Sequence, residues 1–287
     1  MHFHFPFTMA DVLWTFTFAA QLVLLVVLLG RDRAGRFPLF TASVALVAFR
    51  VLTGRLLMGR LPQMTMMQFV IITAAIGAVL GLLVLLELAR KAFGRVPRAA
   101  WVTGALVVMA IGAVVVTYWG IWPTWEQVKQ GSTFQLLQLI AQKGGLLLDV
   151  ENILVGLLIV VFGARYGAGW RSHTQRIVIG LSTASIGQLS VQGIWQAIAK
   201  HAAPKSMDEY NHIIAMRERL FNANSMLFVA VLVWWIITLW LDEPGTARAA
   251  TPEGNVIEGE VETATLESGG VEVMDGSQKD DTQQGER

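Results

Sequence analysis

Residues 67–88 read Met-Gln-Phe-Val-Ile-Ile-Thr-Ala-Ala-Ile-Gly-Ala-Val-Leu-Gly-Leu-Leu-Val-Leu-Leu-Glu-Leu, and within them 79–86 are apolar on every side. A helix needs about 20 mostly apolar residues to cross the hydrocarbon core of a bilayer, and this stretch has that length. Backbone N–H and C=O groups in lipid must find partners within their own segment, so the stretch reads as a helix and not as a strand. Six other segments share its character. Together they give seven expected spans, over residues 9–29, 38–58, 67–88, 99–118, 134–162, 177–198 and 220–241. The expected fold is all-α: a polytopic membrane bundle of seven transmembrane helices filling residues 1–241, followed by a disordered acidic tail over 242–287.

The composition supports this division. The 287 residues are 54% hydrophobic and 15% charged, with a mean hydropathy of +0.53. A soluble domain carries about 25% charged residues. Beyond Leu241 the apolar runs stop, and twelve acids stand against three bases in a stretch rich in Gly, Glu and Thr. Such a segment has too few apolar residues to form a core. The whole-chain net charge of +1 therefore combines a basic membrane part with an acidic tail. There are no cysteines, which excludes disulfides, thiolate metal sites and cysteine nucleophiles. The first apolar run has no basic leader and no small-x-small cleavage site, so it is expected to be a retained span and not a signal peptide.

Orientation follows from lysine and arginine. The first, third and fifth loops carry Arg31, Arg33 and Arg36; Arg90, Lys91, Arg95 and Arg98; and Arg165, Arg171 and Arg176. The other loops are poorer in bases or, near Lys200–Arg219, diluted by acids. The positive-inside rule places the first set in the cytoplasm, with the N-terminus outside and the C-terminus inside. Trp119, Trp122 and Trp125 cluster in the fourth loop as an interfacial belt would. The expected location is the plasma membrane, the inner membrane in a bacterium. Ser132 to Gln135 and Ser206 to Glu209 have capping-box spacing, and so does Thr124 to Gln127. The last helix is thus expected to begin near Met207 and to project outside before it enters the bilayer around Leu220; a short outer helix is expected after Thr124.

The fifth span holds most of the polar signal. Gln135, Gln138, Gln142, Gly145, Asp149, Asn152 and Gly156 step by three and four residues, which places them on one helical face. Lys143 and Glu151 lie off that face, so the helix is expected to have neighbours on more than one side. At about 1.5 Å per residue, Asp149 lies about 9 Å and Glu151 about 12 Å below the outer boundary, while Arg50 of the second span lies about 13 Å and Arg55 about 6 Å deep. An unpaired charge at mid-membrane costs at least about 2.5–3.5 kcal/mol. Arg50 is therefore expected to pair with Asp149 or Glu151, with Arg55 at the mouth of the same cavity. Ser182, Ser185, Gln188, Gln192 and Gln196 on the sixth span, Asn222 and Ser225 on the seventh, and Thr17 and Gln21 on the first would line it. The candidate ligand-binding residues are Arg50, Arg55, Gln142, Asp149, Glu151, Asn152, Gln188 and Gln192. Against this stands a plain packing role, since Ser, Thr, Asn and Gln hold membrane helices together through modest hydrogen bonds. The pair Gly77 and Gly81 is read as close helix packing.

Other chemistries are weaker. His2, His4, His201 and His212 with Met58, Met64, Met66, Met67, Met207 and Met216 offer ligand types that suit copper, but without ligand spacing, and Met is also a common gap-filler. No lysine stands in the seventh span for a retinal Schiff base, no histidine inside a span for haem, and no paired catalytic set for proteolysis. No metal, cofactor or catalytic residue is assigned. Three functions remain: a receptor-like sensor for a small external ligand, with an anion among the candidates, that signals to a separate cytoplasmic protein through the basic loops or the acidic tail; a transporter or channel subunit for a small solute or ion; and a scaffold or assembly protein. The partners implied are the bilayer, a small molecule and a cytoplasmic protein. Nucleic acid is not implied, because topology explains the basic loops.

Overall fold

The computed structural model describes residues 8–57, 60–94, 96–119, 122, 132–166, 172–201 and 206–242, with only the backbone of 164–166 and 201. Among these residues there are eight helices and no strand: α1 (Met9–Gly30), α2 (Arg33–Arg36), α3 (Pro38–Leu57), α4 (Gln63–Ala92), α5 (Arg98–Tyr118), α6 (Thr133–Tyr166), α7 (His173–His201) and α8 (Met207–Trp240). All except the one-turn α2 are long and apolar enough to cross a membrane. The seven expected spans are all present; α4, α6 and α7 run several residues past their expected limits, and α8 begins at Met207 as expected. The acidic tail from residue 243 and the stretch after Thr124 lie outside the described residues.

Local sequence sets the helix starts. At α1, Thr8 Oγ1 accepts from the Asp11 N–H at 3.2 Å and Asp11 Oδ2 accepts from the Thr8 N–H at 3.3 Å, a reciprocal cap. Ser132 and Gln135 close the expected box at α6. At α8, Ser206 caps the Glu209 N–H at 3.2 Å, so the helix begins at Met207 as its sequence indicates. The start of α3 is different. Its proline supplies no N–H, and the Phe40 N–H, which has no partner within its own helix, donates to Glu87 on α4 at 3.3 Å. Glu87 in turn accepts from Lys91 at 3.2 Å. A carboxylate from a neighbouring helix thus serves the free amides and positive dipole end of α3. Among the described residues the one non-glycine residue with positive φ is Asp32 (φ 53°), of a type that tolerates the left-handed region, and it turns the chain between α1 and α2.

Six of the long helices close a ring in the order α1, α3, α4, α6, α7, α8, back to α1. Helix α5 stands outside this ring against α6. Ala78 and Gly81 of α4 meet α6 closely: a Cβ at Gly81 would run into the Leu148 side chain, whereas one at Gly77 would meet nothing. Only one member of the expected glycine pair therefore serves packing.

The two ends of the ring differ. One, called the basic end below, gathers Arg31, Arg33, Arg36, Arg90, Lys91 and Arg176. There Arg33 pairs with Asp242 at 3.0 Å, and Arg176 donates to the Thr238 carbonyl at 3.1 Å. The half of the bundle next to it holds the main apolar cluster, with Leu24, Leu28, Phe37, Phe40, Leu88, Ile159, Ile177, Leu232, Trp235 and Leu239 all nearly inaccessible. Phe40 and Trp235 meet edge to face at 5.2 Å between ring centroids.

Candidate functional site

Most interhelical polar contacts lie in the other half. On α6, Asp149 is half-buried and Asn152 buried. Ser185 of α7 donates to Asp149 Oδ1 at 2.8 Å and accepts from Asn152 Nδ2 at 3.0 Å, using both capacities of its hydroxyl. One turn further, Ser182 donates to the Asn152 carbonyl at 2.7 Å. Gly156 makes this approach possible, since a Cβ there would collide with the Ser182 hydroxyl. A second contact joins α7 to α8, where Asn224 donates to Gln188 Oε1 at 2.7 Å. The sequence stripes on α6 and α7 therefore meet each other from Asp149 to Ser182. Toward the far end they diverge: Gln142 is exposed and Gln192 half-buried, and neither forms a hydrogen bond among the described residues.

The arginines do not join this seam. The expected ion pair of Arg50 with Asp149 or Glu151 is not formed among the described residues. Arg50 sits on α3, whose long neighbours are α1 and α4; α4 stands between α3 and α6. Asp149 turns to α7 and Glu151 to α5. Residue counting predicts equal depth, but it carries no information on order around the ring or on helix rotation. Arg50 is half-buried near mid-span, with no hydrogen bond or ion pair among the described residues. Arg55 pairs instead with Asp11 of α1 at 2.9 Å and lies over the Trp14 ring, 5.5 Å from its centroid. On α1, Gln21 is 1% exposed and neither of its amide atoms has a partner among the described residues.

Lys143 and Glu151, set apart from the polar stripe by their spacing, both look toward α5. Lys143 donates to the Trp119 carbonyl at 2.8 Å and lies 4.4 Å from the Trp122 ring centroid, at the C-terminal, electronegative end of α5. Glu151 is 1% exposed and its Oε1 has no partner among the described residues. Two contributors were missed in the sequence: Glu87, signalled by a carboxylate inside an apolar run with a lysine four residues on, and Asn224, which nothing in the spacing set apart from Asn222. His2, His4 and the side chain of His201 lie outside the described residues.

Comparison with protein-family models, with curated proteins and with solved structures finds no match for this chain. What the fold defines is a class: an integral, multi-pass α-helical membrane protein built as a six-membered helix ring with one helix outside it.

Proposed function

We propose that the protein is a receptor-like sensor of the plasma membrane that binds a small anion at Arg50 and signals to a separate partner at its basic end, taken as cytoplasmic under the positive-inside rule. One observation carries this reading: a half-buried guanidinium near mid-span has no counter-charge among the described residues. Uncompensated charge at that depth is costly, and residues that bear it are functional by default. Gln21 on the adjacent α1 supports it with a buried amide that lacks partners among the described residues. By helical rise, Gln21 lies about 13 Å from the basic end of α1 and Arg50 about 18 Å from that of α3, within the reach of an arginine side chain. An anion held there would bear on α1, which continues to Arg31 and Arg33 and their pairing with Asp242 at the root of the acidic tail. Arg55, Gln142, Asp149, Asn152, Gln188 and Gln192 are proposed to shape access from the outer side.

Transport is less favoured, because the apolar cluster of the basic half fills the ring below the polar seam. Scaffolding draws on one specific observation, the satisfaction of Asp149, Asn152, Ser182 and Ser185 by one another. The test is thermal unfolding in lipid nanodiscs against a panel of small carboxylates, sulfonates and phosphates. An anion at about a hundredfold over its Kd adds about 2.7 kcal/mol, a shift of several degrees. Wild type should show that shift and Arg50→Gln should not. A panel that moves neither protein, or both equally, removes the proposal.

A further inference from the structure

Helices α4 and α5 are consecutive in the chain but scarcely touch; α5 leans on α6 instead. Between the three lies a cavity of about 340 Å³. Its walls are apolar, with Leu82, Leu86, Trp101, Val108, Met109 and Phe162 among them, and Glu151 is its one charged lining residue among the described residues. A volume of this size is that of an ordinary small-molecule pocket, a greasy enclosure with few polar groups that fix orientation. Glu151 lies at its deep end, because its carboxylate abuts Gly112, eleven residues along α5 from Trp101; a Cβ at Gly112 would collide with Oε1. By helical rise the slot extends about 16 Å from Glu151 toward the basic end.

We infer that this slot binds a lipophilic amine, its ammonium on Glu151 and its chain along the apolar walls toward Trp101. Glu151 lines the slot, its Oε1 has no partner among the described residues, and no cation among them pairs with its carboxylate. A charge-assisted N–H···O bond is the strongest contact an enclosed carboxylate accepts. The elongated apolar walls ask for a single chain. The depth of Glu151 discriminates between sources: a phospholipid amine is tied through its phosphate to the interface, while a free alkylamine can enter as the neutral base and take its proton from the Glu151 carboxyl. This site is separate from Arg50 and stands or falls independently of the sensor reading.

The experiment uses full-length protein in phosphatidylcholine nanodiscs with n-dodecylamine, n-dodecanol and dodecanoate as probes. Dodecylamine should raise the unfolding midpoint by several degrees and bind at least tenfold more tightly than dodecanol, with dodecanoate weaker still. Glu151→Gln should abolish the advantage of the amine over the alcohol. Gly104→Leu provides a second variant, since a Cβ at Gly104 meets nothing within 4 Å and the added side chain grows into the slot. It should fold with an unchanged or higher midpoint and lose all three probes. Equal amine binding by wild type and both variants overturns the inference, as does a wild type that prefers dodecanoate or binds none of the probes. Adding phosphatidylethanolamine to the discs should leave dodecylamine affinity unchanged; competition by that lipid would overturn the choice of a free amine.

Discussion

The two halves of the bundle are held by different means. Next to the basic end, large apolar side chains interlock: Phe37, Phe40, Leu88, Ile159, Trp235 and Leu239 come from four long helices and the α2–α3 junction and are nearly inaccessible. Toward the opposite end, close contact depends more on short polar side chains and glycines, as along the Asp149–Ser185–Asn152 seam. In lipid, apolar surface has no solvent to escape from, so association there rests on close packing and hydrogen bonds. A half built on interlocking rings has few alternative arrangements, because packed cores are not continuously deformable. A half built on single hydrogen bonds of about 0.6 kcal/mol each can rearrange at small cost. Rigidity is thus concentrated at one end and adaptability at the other.

Three substitutions bear on this contrast. Phe40→Ala should have the largest effect, a loss of about 3 kcal/mol; this is the low end for such truncations, because lipid offers separated helices apolar surroundings. Denaturant titration in mixed micelles would measure it. Ser185→Ala removes a donor to Asp149 and an acceptor for Asn152 together, and should cost about 1 kcal/mol in the same titration. A cost above that of Phe40→Ala would reverse the assignment of rigidity. Arg55→Ala should matter least. Its pairing with Asp11 is partly exposed, at 49% and 27% of the two side chains, and such pairs contribute under about 1 kcal/mol. The effect should shrink further as salt rises from 50 to 500 mM, because exposed charges are screened. A salt-independent loss would point to stacking on Trp14 as the dominant contact.

The helical fold was readable in residues 67–88 and their six counterparts because a bilayer demands both length and apolarity, and each span meets that demand alone. Capping at Ser132 and Ser206 was readable for the same local reason: three residues suffice to satisfy an end amide. The facing of Lys143 and Glu151 away from the polar stripe also followed from spacing. Residue counting predicts heights for Arg50, Asp149 and Glu151, yet it could not say which helix each would meet. Only the tertiary structure decided that α4 stands between α3 and α6, that Asp149 finds Ser185, and that α5 leaves the ring to open a slot beside Glu151. Height along a membrane helix is fixed by the chain itself; rotation about its axis and the identity of its neighbours are fixed by the packing of all the helices together.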